Sequence, residues 1–596
     1  MSSVPERDDL DDDYKWDLES IYATDEDWEA AFDDLQSKLD DLEAYEGRLT
    51  EDGDTLLEAL ELRDDIYRQA EKVSSYARMR SDEDTRDQEY QALRARGASL
   101  MADVSSATSY FDPELQDCTR EELQSMVEST EGLEEYEHYF DDVLRMKPHT
   151  RSAEVEELLS DLSEVFGAPS DAYNMLTDAD LEFPTVEKPD GDAVEISQAN
   201  LTKLLKHQDR EFRETVHEEF YETIGDVRNT IGSTMKSQMK KDVKLAEARN
   251  YDTAREAALD GSNIPTDVYD NLVDTVDDNL DKLHRHADLK REALGVDELK
   301  MWDLYMPIVD SESPEVTYDE AKEHVVEAVA PLGEDYQDRV REGLESNWVD
   351  VYENRGKRSG AYSGGTYDTQ PFILMNYQDD ISSMFTLAHE LGHSLHSQYT
   401  SDEQPYVYSQ YEIFVAEVAS TVNEALLVNH LLDTVEDEHF RRHILNEYLE
   451  RFRSTLYRQT LFADVEQRLH ELTEEGEALT PDRIDEVYGE RKRAYYEPAD
   501  VDEHITREWM RIPHFYYNFY VFQYSTGISA AVALVQDILE EGQPAADRYL
   551  EFLERGSSEY PLELLRHAGV DMSTSEPIER ALSVYDDYLG EAEDLV

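Results

Sequence analysis

The chain has 596 residues, of which 39% are hydrophobic and 10% aromatic, so it can bury a large core. Its 140 acidic residues against 55 Lys and Arg give a formal net charge of −85. That charge would repel nucleic acid and anionic membrane surfaces, and neither is expected as a partner. The acids are spread along the whole chain in short blocks. This pattern favours adaptation to a salty solvent over a local surface for a basic or metal partner.

The cysteine content and the N-terminal sequence indicate the compartment. Cys118 is the only cysteine, so no disulfide can form within the chain and an oxidising compartment is not implied. The first residues lack the basic and apolar regions of a signal peptide, and no apolar run approaches the length of a membrane span. We therefore expect a cytoplasmic protein, and the oligomeric state stays open.

In chain order, the hydrophobic pattern predicts a mainly α protein without a fixed-period repeat. Residues 1–15 are predicted to form an acidic tail. Apolar residues at three- and four-residue spacing then predict amphipathic helices over 16–200, a subdomain that ends in a small hairpin at 183–196. Helices resume over 201–596, and no low-complexity linker divides the chain, which predicts one large helical architecture with subdomains.

The stretch from Thr386 to His396 contains His-Glu-x-x-His in a sequence predicted to be helical. His389 and His393 are four residues apart, so on an α-helix both imidazoles project from one face and can bind one Zn²⁺. Glu390 lies too close to the first ligand to bind the same ion comfortably, but it can take a proton from a water at the metal. The alternative is a chance match on an ordinary helix.

A catalytic zinc site needs a third protein ligand and an open coordination position. The extended pattern with a third histidine would require Gly at 396 and His at 399, but the chain has His396 and Tyr399. Glu417 lies among apolar residues of the next predicted helix, an unfavourable environment for a carboxylate unless it is paired or metal-bound. We assign Glu417 as the third ligand.

Two further residues are candidates to support the ligands. Glu424 follows Glu417 by seven residues on the same helix face, and we assign it as the partner that orients a ligand histidine. The alternatives that Glu424 is itself the ligand, or that neither glutamate is, stay open. His396 shares the helix face of His393, where it either supports the ligands or is simply a packed histidine.

The segment directly before the histidine motif breaks the helical pattern. Between residues 355 and 378, four glycines precede the apolar run Phe372-Ile-Leu-Met375, which predicts a β-strand. The segment carries neither G-x-G-x-x-G nor a Walker lysine, so phosphate binding is not supported. A strand edge beside a zinc site can pair with an extended peptide. Phe372, Ile373 and Leu374 are therefore expected to contact substrate.

A later segment, Trp509 to Gly527, is dense in His and Tyr. Peptide hydrolysis requires hydrogen-bond donors for the oxyanion of the tetrahedral intermediate, and these side chains can supply them. The candidates are His514, Tyr517, Tyr520 and Tyr524, and the three tyrosines have i, i+3, i+7 spacing that would place them on one helix face. For most other aromatic residues of the segment, packing in a core helix is the favoured alternative.

Four blocks in this order resemble the oligoendopeptidase F family of thimet-oligopeptidase-like zinc peptidases. They are residues 361–377, 386–396, 414–420 and 514–527, and the likeness extends from Trp16 to Asp571. The resemblance implies a large two-lobed helical fold with a deep substrate channel and a small β element beside the zinc helix. It also implies endopeptidase activity on short oligopeptides, with residues 201–596 as the zinc metallopeptidase catalytic domain.

The resemblance also implies roles for individual residues. One catalytic Zn²⁺ would be held by His389, His393 and Glu417, with Glu390 as general base. His514 and a nearby tyrosine, of which Tyr520 is the first candidate, would stabilise the oxyanion. Tyr517 and Tyr524 are then expected to contact substrate. The two alternatives from other classes are a catalytically inactive helical scaffold that binds peptides and a zinc exopeptidase.

Overall fold

The computed structural model describes residues 4–309 and 313–595. The chain divides into two compact units, each assembled from three segments. Unit 1 comprises Met1–Pro148, Pro314–Thr434 and Leu534–Gly569, and unit 2 comprises His149–Ser313, Val435–Ala533 and Val570–Val596. This division differs from the division in chain order predicted above, whose boundary near residue 200 stays a prediction.

The predicted mainly α fold is confirmed. The α-helices are, in chain order, α1 Asp25–Glu43, α2 Gly53–Glu83, α3 Gln88–Ala107, α4 Phe111–Asp117, α5 Arg120–Ser129, α6 Glu137–Met146, α7 Ala153–Asp161, α8 Ser163–Asn174, α9 Leu201–Leu205, α10 Arg210–Gly225, α11 Arg228–Ala248, α12 Ala254–Asp260, α13 Thr266–Asp277, α14 Leu280–Leu294, α15 Tyr318–Ala328, α16 Glu334–Glu345, α17 Ile381–Glu403, α18 Ile413–Thr434, α19 Glu438–Arg451, α20 Arg458–Glu474, α21 Pro481–Tyr495, α22 Phe522–Glu541, α23 Gln543–Leu553, α24 Pro561–Ala568 and α25 Glu576–Leu595.

The strands are short. They are β1 Thr185–Glu187, β2 Ala193–Glu195, β3 Leu299–Lys300, β4 Val349–Tyr352, β5 Tyr362–Gly364, β6 Phe372–Tyr377 and β7 Ala499–Asp500. β1 and β2 form the antiparallel hairpin predicted at 183–196. β3 and β7 pair in parallel, and the remaining three strands form one sheet in the order β4-β6-β5.

Unit 1 begins with long amphipathic helices whose starts are fixed by side-chain caps. Thr24 accepts a hydrogen bond from the backbone N–H of Asp27 at the start of α1, and Asp52 caps α2 in the same way. The buried faces of these helices form a core with residues of β6, including Phe372 and Leu374. The three-stranded sheet therefore lies against the N-terminal helices on one side and leads directly into α17.

Strand β6 is the central strand of that sheet, and this corrects one prediction. β6 pairs in parallel with β4 and antiparallel with β5, so both of its edges are already hydrogen-bonded. Phe372, Ile373 and Leu374 are all fully buried. They cannot contact a substrate as predicted, because their backbone edges are paired and their side chains are packed in the core.

The predicted acidic tail is attached to unit 1, although its residues 1–3 lie outside the described residues. Its acids are largely exposed, but Arg7 forms ion pairs with Glu83 and with the buried Asp350, at 2.8 and 2.6 Å. This contact ties the described part of the tail to α2 and β4.

Unit 2 is built mainly from α7–α14, α19–α21 and α25. Its core contains the buried Lys290, which forms a salt bridge of 2.5 Å with the partly exposed Glu450. Along the described ranges of both units, no helix combines the length and apolar character that a membrane span would need.

Candidate active site

The histidine motif lies in the middle of α17. Asp380 caps the helix by accepting a hydrogen bond of 2.8 Å from the backbone N–H of Ser383. The helix continues without interruption to Glu403, so His389 and His393 are one turn apart on the same face, and their ring centroids are 4.8 Å apart. The prediction that this stretch is helical is confirmed.

α18 passes very close to α17 at Gly392, which lies between the two histidine positions. A Cβ atom on Gly392 would lie 2.6 Å from the carbonyl oxygen of Ala419 and 2.6 Å from the Cα of Ser420. Only glycine permits this approach, and it brings Glu417 to the histidines. Gly392 was not among the predicted site residues, although a glycine inside a buried helix is a signal for close packing.

The three predicted ligands come together in unit 1. One donor atom from each of His389, His393 and Glu417 can be chosen so that all three lie within 4.8 Å of one another. Glu417 Oε2 is 3.6 Å from Nε2 of His389 and 3.9 Å from Nε2 of His393. Those separations are too long for hydrogen bonds, whereas two ligand atoms around a tetrahedral zinc ion are about 3.3 Å apart. The three donor atoms would therefore fit around a small cation if they moved a few tenths of an ångström closer together.

Glu424 contacts His389, as predicted for a partner that orients a ligand. Its Oε1 is 2.6 Å from Nδ1 of His389, which leaves Nε2 free to face Glu417. Burial alone would lower the pKa of His389, but the bond to Glu424 and the charges of Glu390 and Glu417 outweigh burial and raise it to about 8. The three carboxylates thus create a negative potential that a cation would neutralise.

The pKa of His393 is shifted in the opposite direction to that of His389. Burial and the nearby histidines lower its pKa, so the imidazole is neutral, and it is hydrogen-bonded to the backbone of Ala416 in α18. A neutral imidazole with one nitrogen engaged by the backbone and the other facing the carboxylate has the form required of a metal ligand.

We call His389, His393 and Glu417 the ligand group. Glu390 lies beside this group and is only 7% exposed. Burial, assisted by the charge of Glu417, raises its pKa to about 7 even though His389 opposes this. A hydrogen bond from the backbone N–H of Ser363 in β5 holds the carboxylate. The hydroxyl of Ser363 is also 2.9 Å from that of Ser394, so β5 is bonded to α17.

His396 is a packed histidine, which is the second of the two interpretations given for it above. It is 1% exposed and stacks on Tyr411 with ring centroids 3.7 Å apart. Burial lowers its pKa to about 3, so it is neutral. Tyr411 bonds in turn to Ser397, at 2.8 Å. His396 therefore supports the wall of the site rather than the ligands.

A cavity of about 750 Å³ in unit 1 opens onto the ligand group. We call it the site cavity. Its lining includes His389, Glu390, His393 and Glu417, the strand residues Tyr362, Ser363 and Gly364, and Arg78 of α2. Among the described residues β5 pairs only with β6, so the other edge of β5 is free of strand partners. The edge available to an extended ligand is that of β5, not β6.

The aromatic segment belongs to unit 2, and its predicted geometry is wrong. Tyr517, Tyr520 and Tyr524 do not share a helix face, because Asn518 and Phe519 adopt left-handed backbone conformations with φ of 49° and 58°. α22 begins only at Phe522. The rings still cluster, since the centroids of Tyr520 lie 6.2 Å from Tyr517 and 5.5 Å from Tyr524.

His514 joins that cluster at 5.5 Å from the Tyr517 ring. Burial and the charge of Arg458 lower the pKa of His514, which keeps the ring neutral. The turn that follows is held by Glu466 of α20, whose Oε1 accepts a hydrogen bond of 2.7 Å from the backbone N–H of Phe519. Left-handed phenylalanine is strained, so this buried bond supports an unfavourable conformation. Nothing in the spacing of the sequence singled out Glu466.

A buried helix that carries His-Glu-x-x-His, crossed by a second helix that adds a carboxylate, is the arrangement of a metallopeptidase. Comparison with protein families specifies the kind. The model described as Peptidase family M3 matches residues 203–584, and that described as Oligopeptidase F matches residues 114–183. The chain belongs to peptidase family M3, in its oligoendopeptidase F branch, and is a metalloendopeptidase.

Curated relatives and solved structures agree with this assignment. Oligopeptidase PepF of Bacillus subtilis is 44% identical over 100% of this chain and 89% of its own length. Group B oligopeptidase PepB of Streptococcus agalactiae is 40% identical over 98% of both. The structure of oligoendopeptidase-F from Enterococcus faecium aligns with a TM-score of 0.75 at 37% identity, covering 96% of this chain and 99% of that one. A structure from Chlamydophila abortus aligns over 100% of both chains with a TM-score of 0.92 at 32% identity.

Proposed function

We propose that this peptidase uses one Zn²⁺, bound by His389, His393 and Glu417, to cleave internal bonds of short peptides. The observation that carries the proposal is the convergence of these three donors beside the buried carboxylate of Glu390. Once His389 has lost its proton, two neutral imidazoles and one carboxylate would leave a fourth coordination position open, as a hydrolytic zinc centre requires. When bound, zinc supplies Lewis acidity at the scissile carbonyl and makes a nearby water more acidic.

Residues of the chain itself transfer the proton and orient the metal ligands. Glu390 accepts a proton from the attacking water and later returns it to the leaving amine. Its raised pKa of about 7 and its bond from Ser363 suit a group that must both take and give a proton. Glu424 holds the ring of His389 in place through Nδ1.

Substrate binding is proposed at the free edge of β5. An extended peptide would add to this edge through main-chain hydrogen bonds, which are independent of side-chain identity. Because Ser363 of the same strand holds Glu390, a peptide on β5 passes directly beside the proton acceptor. The volume of the site cavity, about 750 Å³, lies in the range of sites for small ligands and suits a short stretch of peptide.

We further propose that His514 and Tyr520 donate hydrogen bonds to the oxyanion, with Tyr517 and Tyr524 contacting substrate. The neutral state of His514 supports a donor role, since one ring nitrogen then carries a hydrogen. Strained backbone at Asn518 and Phe519 also supports it, because strain of this kind is concentrated at functional sites.

The names of the relatives support short peptides as substrates. The single cysteine supports a cytoplasmic location, since no disulfide within the chain is needed. The test uses peptides with both termini blocked. Cleavage at internal bonds, identified by mass spectrometry and abolished by a chelator, is expected. Removal of terminal residues alone from unblocked peptides would contradict endopeptidase action, and cleavage that survives chelation would contradict the metal.

A further inference from the structure

Arg78 is a cation of the site cavity that forms no ion pair with a carboxylate of the described residues. Acids outnumber basic residues by 140 to 55 in this chain, so an arginine without an ion-pair partner is unusual. No ion pair joins Arg78 to any carboxylate of the described ranges. The acid one turn further along α2, Asp82, is instead engaged by Arg94 and Arg358.

The position of Arg78 is fixed by the strand that is proposed to bind substrate. Its guanidinium carbon lies 5.3 Å from the ring centroid of Tyr362, a cation–π distance. Its Nη2 would be 3.3 Å from a Cβ atom on Gly364, so the guanidinium lies against the end of β5. The hydroxyl of Tyr362 donates to Asp82 at 2.9 Å, which holds the ring beneath the guanidinium.

The other charges of the cavity make this cation distinctive. Arg78 is the only Lys or Arg among the lining residues, whose carboxylates are Glu390, Glu417 and Asp402. Asp402 is already paired with Arg339 at 2.6 Å, Glu417 belongs to the ligand group, and Glu390 lies beside that group. A negatively charged part of a peptide entering this cavity would find one favourable partner.

We propose that Arg78 binds a carboxylate of the peptide substrate and so selects peptides with a negative charge near the cleaved bond; this rests on the proposed endopeptidase function. Ser363 holds Glu390, and Gly364 beside Arg78 is the next residue of the strand. With about 3.3 Å per residue, the bound carboxylate lies within about three residues of the cleaved bond. An acidic side chain or the C-terminal carboxylate supplies the same chemistry, and a guanidinium binds either in a two-pronged fashion.

The test compares matched peptides. Six pairs differ by Glu or Gln at a single position, one pair for each of the three positions on either side of the cleaved bond, and a further pair differs by a free or amidated C-terminus. The wild-type protein is expected to prefer the charged member of one pair by about tenfold or more in kcat/KM, mainly through KM. The pair that shows the preference identifies the source of the carboxylate.

Arg78→Gln is expected to reduce the ratio of kcat/KM between the charged and the neutral peptide to within about twofold of one. Arg78→Lys keeps the charge but loses the two parallel N–H donors of the guanidinium, so we expect an intermediate ratio. Arg358→Gln is the matched control, because Arg358 lies 5.7 Å from the same Tyr362 ring but does not line the cavity. It should keep the full preference. A preference absent from the wild type, or unchanged in Arg78→Gln, would overturn the proposal, as would an equal loss on charged and neutral peptides.

Binding of the same peptides to the Glu390→Gln protein, measured by calorimetry, repeats the comparison without turnover. A charge preference in binding that depends on Arg78 would support the proposal even if internal cleavage were not observed. Internal cleavage with no dependence on Arg78 would instead leave the proposed function intact and refute the role of this residue.

Discussion

At the scale of single residues, Glu390 is the group on which the proposed chemistry depends most. Glu390→Gln keeps the shape of the side chain and its contact with Ser363 but cannot accept a proton. We expect zinc content equal to wild type and a fall in kcat of about three orders of magnitude or more. Elemental analysis and a quenched fluorescent peptide measure the two quantities. Turnover within tenfold of wild type would contradict the assignment.

Glu424 is expected to act on the metal only through His389. Glu424→Gln should weaken zinc affinity by about tenfold or more, because a neutral amide orients and polarises the imidazole less well. Competition with a chelator of known affinity measures this. The control is Glu327→Gln, which alters a second glutamate–histidine pair of unit 1, with His430 at 3.5 Å, away from the ligand group. Equal affinities in wild type and Glu424→Gln would show that the bond is not needed.

The candidate metal ligands were predictable from sequence because their chemistry is visible in the local pattern. His389 and His393 have helical spacing, and Glu417 stands out as a carboxylate among apolar neighbours. Arg78 was not predictable in the same way, since what distinguishes it is that no carboxylate of the described residues pairs with it in space. Glu466 was missed for a similar reason: its contact with Phe519 joins residues that are 53 positions apart.

At the scale of elements, the crossing of α17 and α18 at Gly392 is the feature that brings the three proposed ligands together. Gly392→Ala would place a methyl group 2.6 Å from backbone atoms of α18, so the helices must separate. We expect a loss of about 1–3 kcal/mol in stability and weaker zinc binding. Thermal melts and zinc affinity measure these.

The matched control is Gly590→Ala in α25, where the nearest atom to an added Cβ is 3.7 Å away. That substitution should be neutral or stabilise by up to about 1 kcal/mol. If both alanine variants behaved alike, close packing at Gly392 would not be what positions the ligands.

The turn between His514 and α22 is the second element whose geometry matters. Glu466→Leu removes the acceptor for the Phe519 N–H, so the left-handed turn should relax and misplace Tyr520. We expect kcat to fall by about tenfold with little change in KM, and Glu466→Gln, which keeps an acceptor oxygen, to restore most of it. Steady-state kinetics measures both parameters.

Asp464→Leu is the control for that experiment. Asp464 is buried on the same helix but pairs with Arg468 and Arg491 instead of the turn. It should lower the melting temperature without lowering kcat selectively. A fall in kcat as large as that of Glu466→Leu would indicate a general effect of disturbing α20.

Elements show where sequence reasoning fails and why. The run Phe372 to Met375 was correctly predicted as a strand, but an apolar run does not reveal whether a strand is central or at an edge. β6 proved central, and the free edge belongs to β5, whose residues Tyr362 to Gly364 give no strand signal. The spacing of Tyr517, Tyr520 and Tyr524 fits a helix, yet the bond from Phe519 to Glu466 favours a turn.

At the scale of the whole molecule, the net charge of −85 is the dominant property. Uncompensated acids repel one another over about 10 Å at 0.1 M salt but over only about 3 Å at 1 M. We therefore expect the melting temperature to rise by several degrees or more between 0.1 M and 2 M KCl. Differential scanning fluorimetry measures this, and a melting temperature independent of salt would contradict adaptation to a salty solvent.

The central claim is that one zinc ion, held by the two histidines of α17 and Glu417 of α18, supports internal peptide cleavage. The most direct measurement is a titration of metal-free protein with Zn²⁺ in molar salt while cleavage of a blocked, quenched peptide is followed. We predict that activity rises from background to a plateau at one equivalent, and that Glu417→Ala reaches no plateau over that range. Full activity before zinc is added, or an unchanged titration in Glu417→Ala, would contradict the account.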